Sequence, residues 1–301
     1  MGGLGFIGKH VVRVLSRSDT SLTVISDPET SRKSQAFVKE FSLHVEEADV
    51  QDRNRLTEIM LKEKPDAVVH LAALTGIARC EANPELAFSV NVLGAYNVIM
   101  GCVSCNCRLV FMSSREVYGE STSRPTTEDD RTVPNNIYGL TKLLAERLVL
   151  WAAKRHDLDF TILRLTNVYG PAGDQYNVQA MIQHALASRT IQLLGGSQQM
   201  NLIYVDDVAE VIRVSLANPN ASRQTFNVGS YDNVTVEDLV IRIAKTLGGS
   251  ITIERKSMRT GETINFRPNL AKLQQLIQPW HPTSLDDGLQ KTVDWYMRGA
   301  R

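Results

Sequence analysis

The 301-residue chain has no charge excess of either sign, with 33 Lys and Arg against 33 Asp and Glu. It lacks the basic surplus that attracts nucleic acid or anionic membranes, so neither partner is expected. No apolar run approaches the roughly 18 residues that span a bilayer. No signal peptide precedes the first glycines, so the cytoplasm is the expected compartment. Cysteine is sparse: Cys80, Cys102, Cys105 and Cys107. The last three are crowded, yet no His or Cys pair stands at zinc-finger spacing, so reduced thiols, two of them facing a core, and no metal are expected. The six histidines show no ligand spacing either, and His70, in a strand-to-loop segment, reads as structural. Internal repeats and low-complexity linkers are absent, and the length suits one large or two unequal lobes.

What the chain does have begins at its start. Residues 2–8 read Gly-Gly-Leu-Gly-Phe-Ile-Gly, followed by a helical pattern through Phe6, Ile7, Val11, Val12 and Leu15. Glycines let a backbone turn tightly against a pyrophosphate, whose charge meets a helix N-terminus. The apolar strand 22–26 ends at Asp27, near the spacing expected for an acid that accepts a ribose 2′-hydroxyl and repels a 2′-phosphate, which favours NAD over NADP. Asp27 also fits a helix cap before Pro28. Buried-strand patterns recur at 67–71, 109–113 and 160–165, with a weaker one at 43–46, and helical periodicity marks 53–61, 87–103 and 137–153. The alternation predicts a doubly wound α/β fold with a parallel sheet.

Residues 112–118 read Met-Ser-Ser-Arg-Glu-Val-Tyr at the end of a predicted strand, and 138–142 read Tyr-Gly-Leu-Thr-Lys at the start of a predicted amphipathic helix. Tyr138 and Lys142, at i and i+4, share one helical face. A strand-end hydroxyl facing a Tyr backed by a Lys can move a proton at a carbinol carbon, with the ammonium expected to lower the Tyr pKa.

Taken in order, these segments resemble the extended short-chain dehydrogenase/reductase family, in its NAD-dependent sugar-nucleotide epimerase/dehydratase branch. The likeness runs over nearly the whole chain. It includes Asn-Val-Leu-Gly at 91–94, Arg-Leu-Thr-Asn-Val-Tyr-Gly-Pro at 164–171 and Tyr-Val-Asp-Asp-Val at 204–208. The resemblance implies an NAD-binding Rossmann-like domain (1–170 and 204–235), a smaller substrate lobe (171–203 and 236–301) and a homodimer through helices 87–103 and 137–153. It implies that Gly2, Gly5, Phe6, Ile7, Gly8, Asp27, Asp49, Val50, Leu71, Ala72, Ala73, Asn91, Ser113, Tyr138 and Lys142 hold NAD. Ser114, Tyr138 and Lys142 match the catalytic set. The implied activity is C4 oxidation of a nucleotide sugar to a 4-keto intermediate and its reduction on the other face; decarboxylation, dehydration and a non-catalytic NAD-binding role are the alternatives.

Three departures matter. Dehydratases of the branch carry Asp-Glu where this chain has Arg115-Glu116, and a guanidinium cannot serve as the acid; Glu116 keeps a decarboxylase in play, or is an ion-pair partner. Of the diphosphate contacts, Asn167 and Arg259 match, but the position of one Arg is Met200, followed by Asn201. Finally, Met1 stands directly before the glycine loop, so the first, central strand is missing. Loss of four buried apolar side chains removes roughly 6–12 kcal/mol, against a domain stability of about 5–15 kcal/mol. The expectation is an open slot in the sheet, and either a start several residues upstream or a damaged copy.

Overall fold

A computed structural model describes residues 1–18, 20–120, 124–173, 178–257 and 265–299. Its centre is a parallel ladder of four strands in the order β3 (Ala67–His70), β4 (Arg108–Ser114), β5 (Phe160–Leu165) and β9 (Gln224–Val228). Every residue of β5 and all but the first of β4 are buried. A strand covered on both faces reads as a continuous apolar run, which is why these two were visible in the sequence. Parallel neighbours require crossovers: the Arg53–Glu63 helix leads into β3, and the Ala95–Cys105, Ile137–His156 and Val205–Ala217 helices lie in the connections between the four strands. Asp52 caps the first of these by accepting from Arg55 N at 3.0 Å, and Asn136 caps the third through Gly139 N at 2.8 Å.

β1 (Thr23–Ser26) pairs only with β2 (His44–Glu47), and among the described residues no ladder joins this pair to β3. The sheet is therefore divided where the central strand was expected to be missing. Residues 1 and 2 bridge the division. The Met1 amine donates to Val69 O at 2.7 Å, Leu71 N donates to Met1 O at 3.0 Å, and Gly2 N donates to Ile25 O at 2.8 Å. Burial pushes the Met1 amine down to about 6.

A second core lies beyond residue 168. It joins Tyr169, Ile182, Ile191, Leu202, Leu239 and Leu289 and is built on β6 (Asn167–Tyr169), β7 (Thr190–Leu194), β8 (Gln199–Tyr204), β10 (Asn233–Thr235) and β11 (Thr252–Lys256). His10, on the helix that follows the glycine loop, ties the two regions: Nδ1 donates to Asp206 Oδ1 at 2.5 Å, and Nε2 lies 3.1 Å from Pro171 O.

Two helices depart from expectation. Pro84–Cys105 forms a continuous 22-residue helix, long and apolar enough by composition to cross a membrane, although no unbroken apolar run marked it. It packs against the Arg53–Glu63 and Ile137–His156 helices as part of the main core. The Ile137–His156 helix buries polar side chains alongside Ala145, Val149 and Ala152 of the main core. Lys142 and Glu146 are buried, whereas Leu144, Leu150 and Trp151 are 36%, 38% and 46% exposed. Leu143 and Leu148 pack against the interior, whereas Leu144 and Leu150 lie on the outer face.

Candidate active site

Parallel strands deliver their C-terminal ends to one edge of the sheet, where ligands of open α/β folds bind. β4 ends there in Ser113 and Ser114, and the pleat sends their side chains to opposite faces. Ser113 Oγ donates to the Glu146 carboxylate. Ser114 Oγ accepts from Glu116 N at 3.2 Å and lies close enough to the Tyr138 hydroxyl to oppose the rise in its pKa. The strand end and the helix start thus bring Ser114 and Tyr138 together.

Close packing of the helix start makes this contact possible. A Cβ at Gly139 would lie 2.3 Å from Glu116 O, so only glycine lets the helix approach the Arg115–Val117 turn. Gly139→Ala is expected to cost about 1–3 kcal/mol in stability and to lower turnover more than that loss explains. Thermal melts paired with steady-state kinetics check it; unchanged turnover would refute the packing argument.

The electrostatics differ from the sequence expectation. Burial pushes the Tyr138 hydroxyl well above its ordinary value, with Cys80 and Glu116 adding to the rise and the Ser114 hydrogen bond opposing it. Lys142 is not among the groups acting on Tyr138. Its ammonium lies 4.7 Å from the Phe111 ring centre, and burial lowers it to about 8 against the opposing pull of Glu146.

Glu116 is buried and engaged. Arg115 Nη2 lies 2.8 Å from its Oε1, and Asn136 Nδ2 donates to Oε2 at 3.0 Å. The ion-pair alternative weighed for Glu116 is therefore realised. Arg115 also lies over the Phe266 ring, 5.5 Å from its centre.

The glycine loop fits a dinucleotide. A Cβ at Gly2 would meet Ala72 N at 2.7 Å, and one at Gly8 would meet Gly2 O at 2.4 Å. The loop therefore lies directly against Leu71 and Ala72. The Phe6–Leu15 helix begins at Gly5 with no side-chain cap and no acid in its first turn, which leaves its N–H groups for an anion. Asp27 closes β1 and also caps the Pro28–Lys33 helix, its Oδ1 accepting from Thr30 N at 2.9 Å. Partial burial raises its carboxyl, but hydrogen bonds from Thr30 and nearby amides outweigh this and hold it below its ordinary value.

Other predicted residues have structural duties. Asp49 is exposed and accepts from Gln51 N at 2.8 Å, while Val50 is buried against Gly94. Asn91, swung inward by the wider turn of Ser89–Gly94, accepts from Leu74 N at 2.7 Å and donates to Leu74 O and to Thr141 Oγ1, each at 3.0 Å. It pins the loop after β3 rather than presenting a free amide. Asn167 donates to Asn201 O at 3.1 Å. Asn201 is buried and fixes the 230–233 turn through Ser230, Asp232 and Asn233. Met200 lies in β8 opposite Val234. Arg259 lies outside the described residues.

A profile of the NAD dependent epimerase/dehydratase family matches residues 1–229. The chain belongs to this family. It is 29% identical to the UDP-glucose 4-epimerase of Mycolicibacterium smegmatis, over 98% of this chain and 96% of the relative. It is 30% identical to the low-salt glycan biosynthesis protein Agl12 of Haloferax volcanii, over 98% and 97%. The solved UDP-glucose 4-epimerase of Thermotoga maritima with UDP-glucose superimposes with a TM-score of 0.90 at 25% identity, covering 100% of this chain and 98% of that one.

Family motifs drew the eye to Ser114, Tyr138 and Lys142 and away from their supports. Asn136, Gly139, Cys80, Glu146 and Arg164 were not singled out as site residues. Two signals were available: an Asn directly before a helical run suggests a cap, and Glu146 stands four residues after Lys142. The contact of Cys80 with Tyr138 had no local signal. Three cysteines rather than two, Cys80, Cys102 and Cys107, are buried. The fold also gathers His44, Glu46 and Glu63 within 4.8 Å, a group that histidine spacing did not reveal; Lys62 and Arg55 already pair with Glu46 there. His70 is buried and held far below its usual value, first by desolvation and then by Lys142.

Proposed function

We propose that the protein is an NAD-dependent 4-epimerase of a nucleotide sugar. The observation that carries this reading is the Ser114–Tyr138 hydroxyl pair at the strand end, beside an Arg115–Glu116 pair that can serve neither as acid nor as free base. NAD, when bound, supplies the hydride acceptor and donor. Its proposed holders are Gly2, Gly5, Phe6, Ile7 and Gly8 for the pyrophosphate, Asp27 for the ribose hydroxyls, and Asp49, Val50, residues 71–73, Ser113 and Lys142 for the rest. Asn91 acts by fixing the loop after β3.

Tyr138 acts in its phenolate form, so ligand binding must offset the rise that burial imposes on the empty site; it takes the proton from the sugar 4-hydroxyl and returns it after the 4-keto sugar has turned over. Ser114 holds the same oxygen as it changes from hydroxyl to carbonyl. The position of Arg115 disfavours loss of water, which needs a proton donor at the leaving hydroxyl. Glu116, with both oxygens occupied, is poorly placed to act as a base, so the dehydratase and decarboxylase readings receive no support from it.

UDP-glucose, the ligand of the Thermotoga maritima enzyme, is the first substrate to test. Incubation with UDP-glucose and NAD should yield UDP-galactose, with no 4-keto-6-deoxy sugar, as read by chromatography and NMR. A 4-keto-6-deoxy product would overturn the assignment. Asn167 and Arg259 are the proposed diphosphate contacts, and segments 171–203 and 236–301 the substrate lobe. The free cysteines fit a reducing compartment, and we assign the protein to the cytoplasm.

The outward apolar stripe supports a homodimer formed by the Pro84–Cys105 and Ile137–His156 helices. Leu93, 60% exposed, and Trp151 lie on it, and two such helix pairs would cover each other's apolar surface. Trp151→Glu is expected to shift the protein from about 67 kDa, twice the 33.5 kDa chain, to the monomer mass in light scattering. A parent protein that is already monomeric would refute this interface.

A further inference from the structure

The reaction assigned to Tyr138 leaves one buried hydroxyl beside it without a role, that of Thr141. We propose that Thr141 is a positioning residue for the reaction: its hydroxyl ties Tyr138, through Asn91, to the loop after β3. The inference deepens the epimerase reading and rests on it for the task of Tyr138.

Thr141 has no exposed surface, and Asn91 is buried. Thr141 Oγ1 donates to Tyr138 O at 2.9 Å, one turn back on its own helix, a local bond common for threonine. It also accepts from Asn91 Nδ2 at 3.0 Å, which reaches across from the Ser89–Gly94 turn. The other hydrogen of that amide goes to Leu74 O at 3.0 Å, and Asn91 Oδ1 accepts from Leu74 N at 2.7 Å. A primary amide has two hydrogens and a hydroxyl has one, so every side-chain donor on this path is engaged. The path runs from the Tyr138 carbonyl through Thr141 and Asn91 to both backbone groups of Leu74.

The contacts close into a ring. The side chain of Leu74 packs with Cys80, Ala87 and Tyr138, and Cys80 Sγ donates to Leu74 O at 3.5 Å. Tyr138 is thus held to this loop twice, at its side chain by packing and at its carbonyl by hydrogen bonds. Apolar contact is not directional and lets a ring slide along its neighbours; buried hydrogen bonds fix direction as well as distance. Leu71 and Ala72, at the start of the same loop, lie against Gly2 of the glycine loop. The path therefore sets where Tyr138 stands relative to a dinucleotide seated there. An error of about 1 Å in such a placement costs on the order of a hundredfold in rate.

Two variants test it. Thr141→Val keeps the shape and removes the hydroxyl, whereas Thr141→Ser keeps the hydroxyl and removes the methyl. The expected result is a kcat lowered about tenfold to a hundredfold in Thr141→Val, with the KM for UDP-glucose near that of the parent, and most of the parent kcat in Thr141→Ser. In the Tyr138→Phe background Thr141→Val should cost nothing further, because the hydroxyl it places is gone. A merely structural role would lower stability and activity alike in both variants, and Thr141→Val would cost as much without the Tyr138 hydroxyl as with it; either result would overturn the proposal. Should Thr141→Val fail to fold because the Asn91 amide is left unpaired, Thr141→Ala, which leaves room for a water at that amide, is read in the same way. A second measurement requires no turnover. In protein labelled with ring-fluorinated tyrosine and loaded with NAD, the Tyr138 fluorine resonance is assigned by its absence from Tyr138→Phe. It should be one line in the parent and broadened or doubled in Thr141→Val; an unchanged line would overturn the proposal. A broadened line in a protein without epimerase activity would sustain the Thr141 link and overturn only the assigned reaction.

Discussion

Tyr138→Phe is expected to lower kcat on the order of a thousandfold, within the range that positioned acid–base groups contribute, while NAD binding and thermal stability stay near those of the parent. The phenol oxygen, beside Ser114, is the proposed acceptor of the 4-hydroxyl proton. The ring fills the cavity beside Leu74, Cys80 and Ala87. Phenylalanine keeps that packing and removes only the hydroxyl, whose partner Ser114 retains a bond from Glu116 N. Single-turnover measurements would locate the loss in the chemical step. A variant with more than a tenth of parent turnover would show that Tyr138 is not the proton acceptor.

Lys142→Met is expected to remove turnover and yet stabilise the fold. Burial lowers the ammonium from 10.5 to about 8. The unfolded chain therefore binds more protons than the native one between about pH 8 and pH 10.5, so the contribution of Lys142 to stability rises with pH across that window. Below about pH 8 the full desolvation penalty is present, about 3 kcal/mol at roughly 1.4 kcal/mol per unit. Methionine at this position would keep the contact with the Phe111 ring and leave Glu146 paired with Arg164. Denaturant melts should show the variant more stable at pH 7, with the advantage shrinking towards pH 10. A variant less stable than the parent at pH 7 would show that the ammonium is better solvated than its burial implies. The same proton explains an activity loss expected in the parent above about pH 8, as Lys142 becomes neutral.

How much of this was legible in the sequence depended on whether chemistry or context selected each residue. β4 and β5 could be read because both faces are buried, so their apolar runs are unbroken. The glycine loop could be read because Gly2 and Gly8 have no room for a Cβ. Asp27 and Glu116 each carried two readings, and the fold gives both a structural duty, as a helix cap and as an ion-pair partner. The orientation of the Ile137–His156 helix was not legible. Periodicity assigns leucines to a core, but here Lys142 and Glu146 take buried positions while Leu144 and Leu150 face outward. The pKa of Tyr138 was not legible either, since i,i+4 spacing places Lys142 nearby but says nothing of the desolvation that both groups undergo. The three hydrogen bonds by which residues 1 and 2 span the gap between β1 and β3 could be seen only in the fold.

The most direct measurement uses UDP-glucose deuterated at C4 with the purified protein and NAD. The account predicts UDP-galactose that still carries deuterium at C4, because the hydride leaves and returns within one site while the hydroxyl proton stays on Tyr138. No C4 epimer, or a product that has lost water or carbon dioxide, would contradict it.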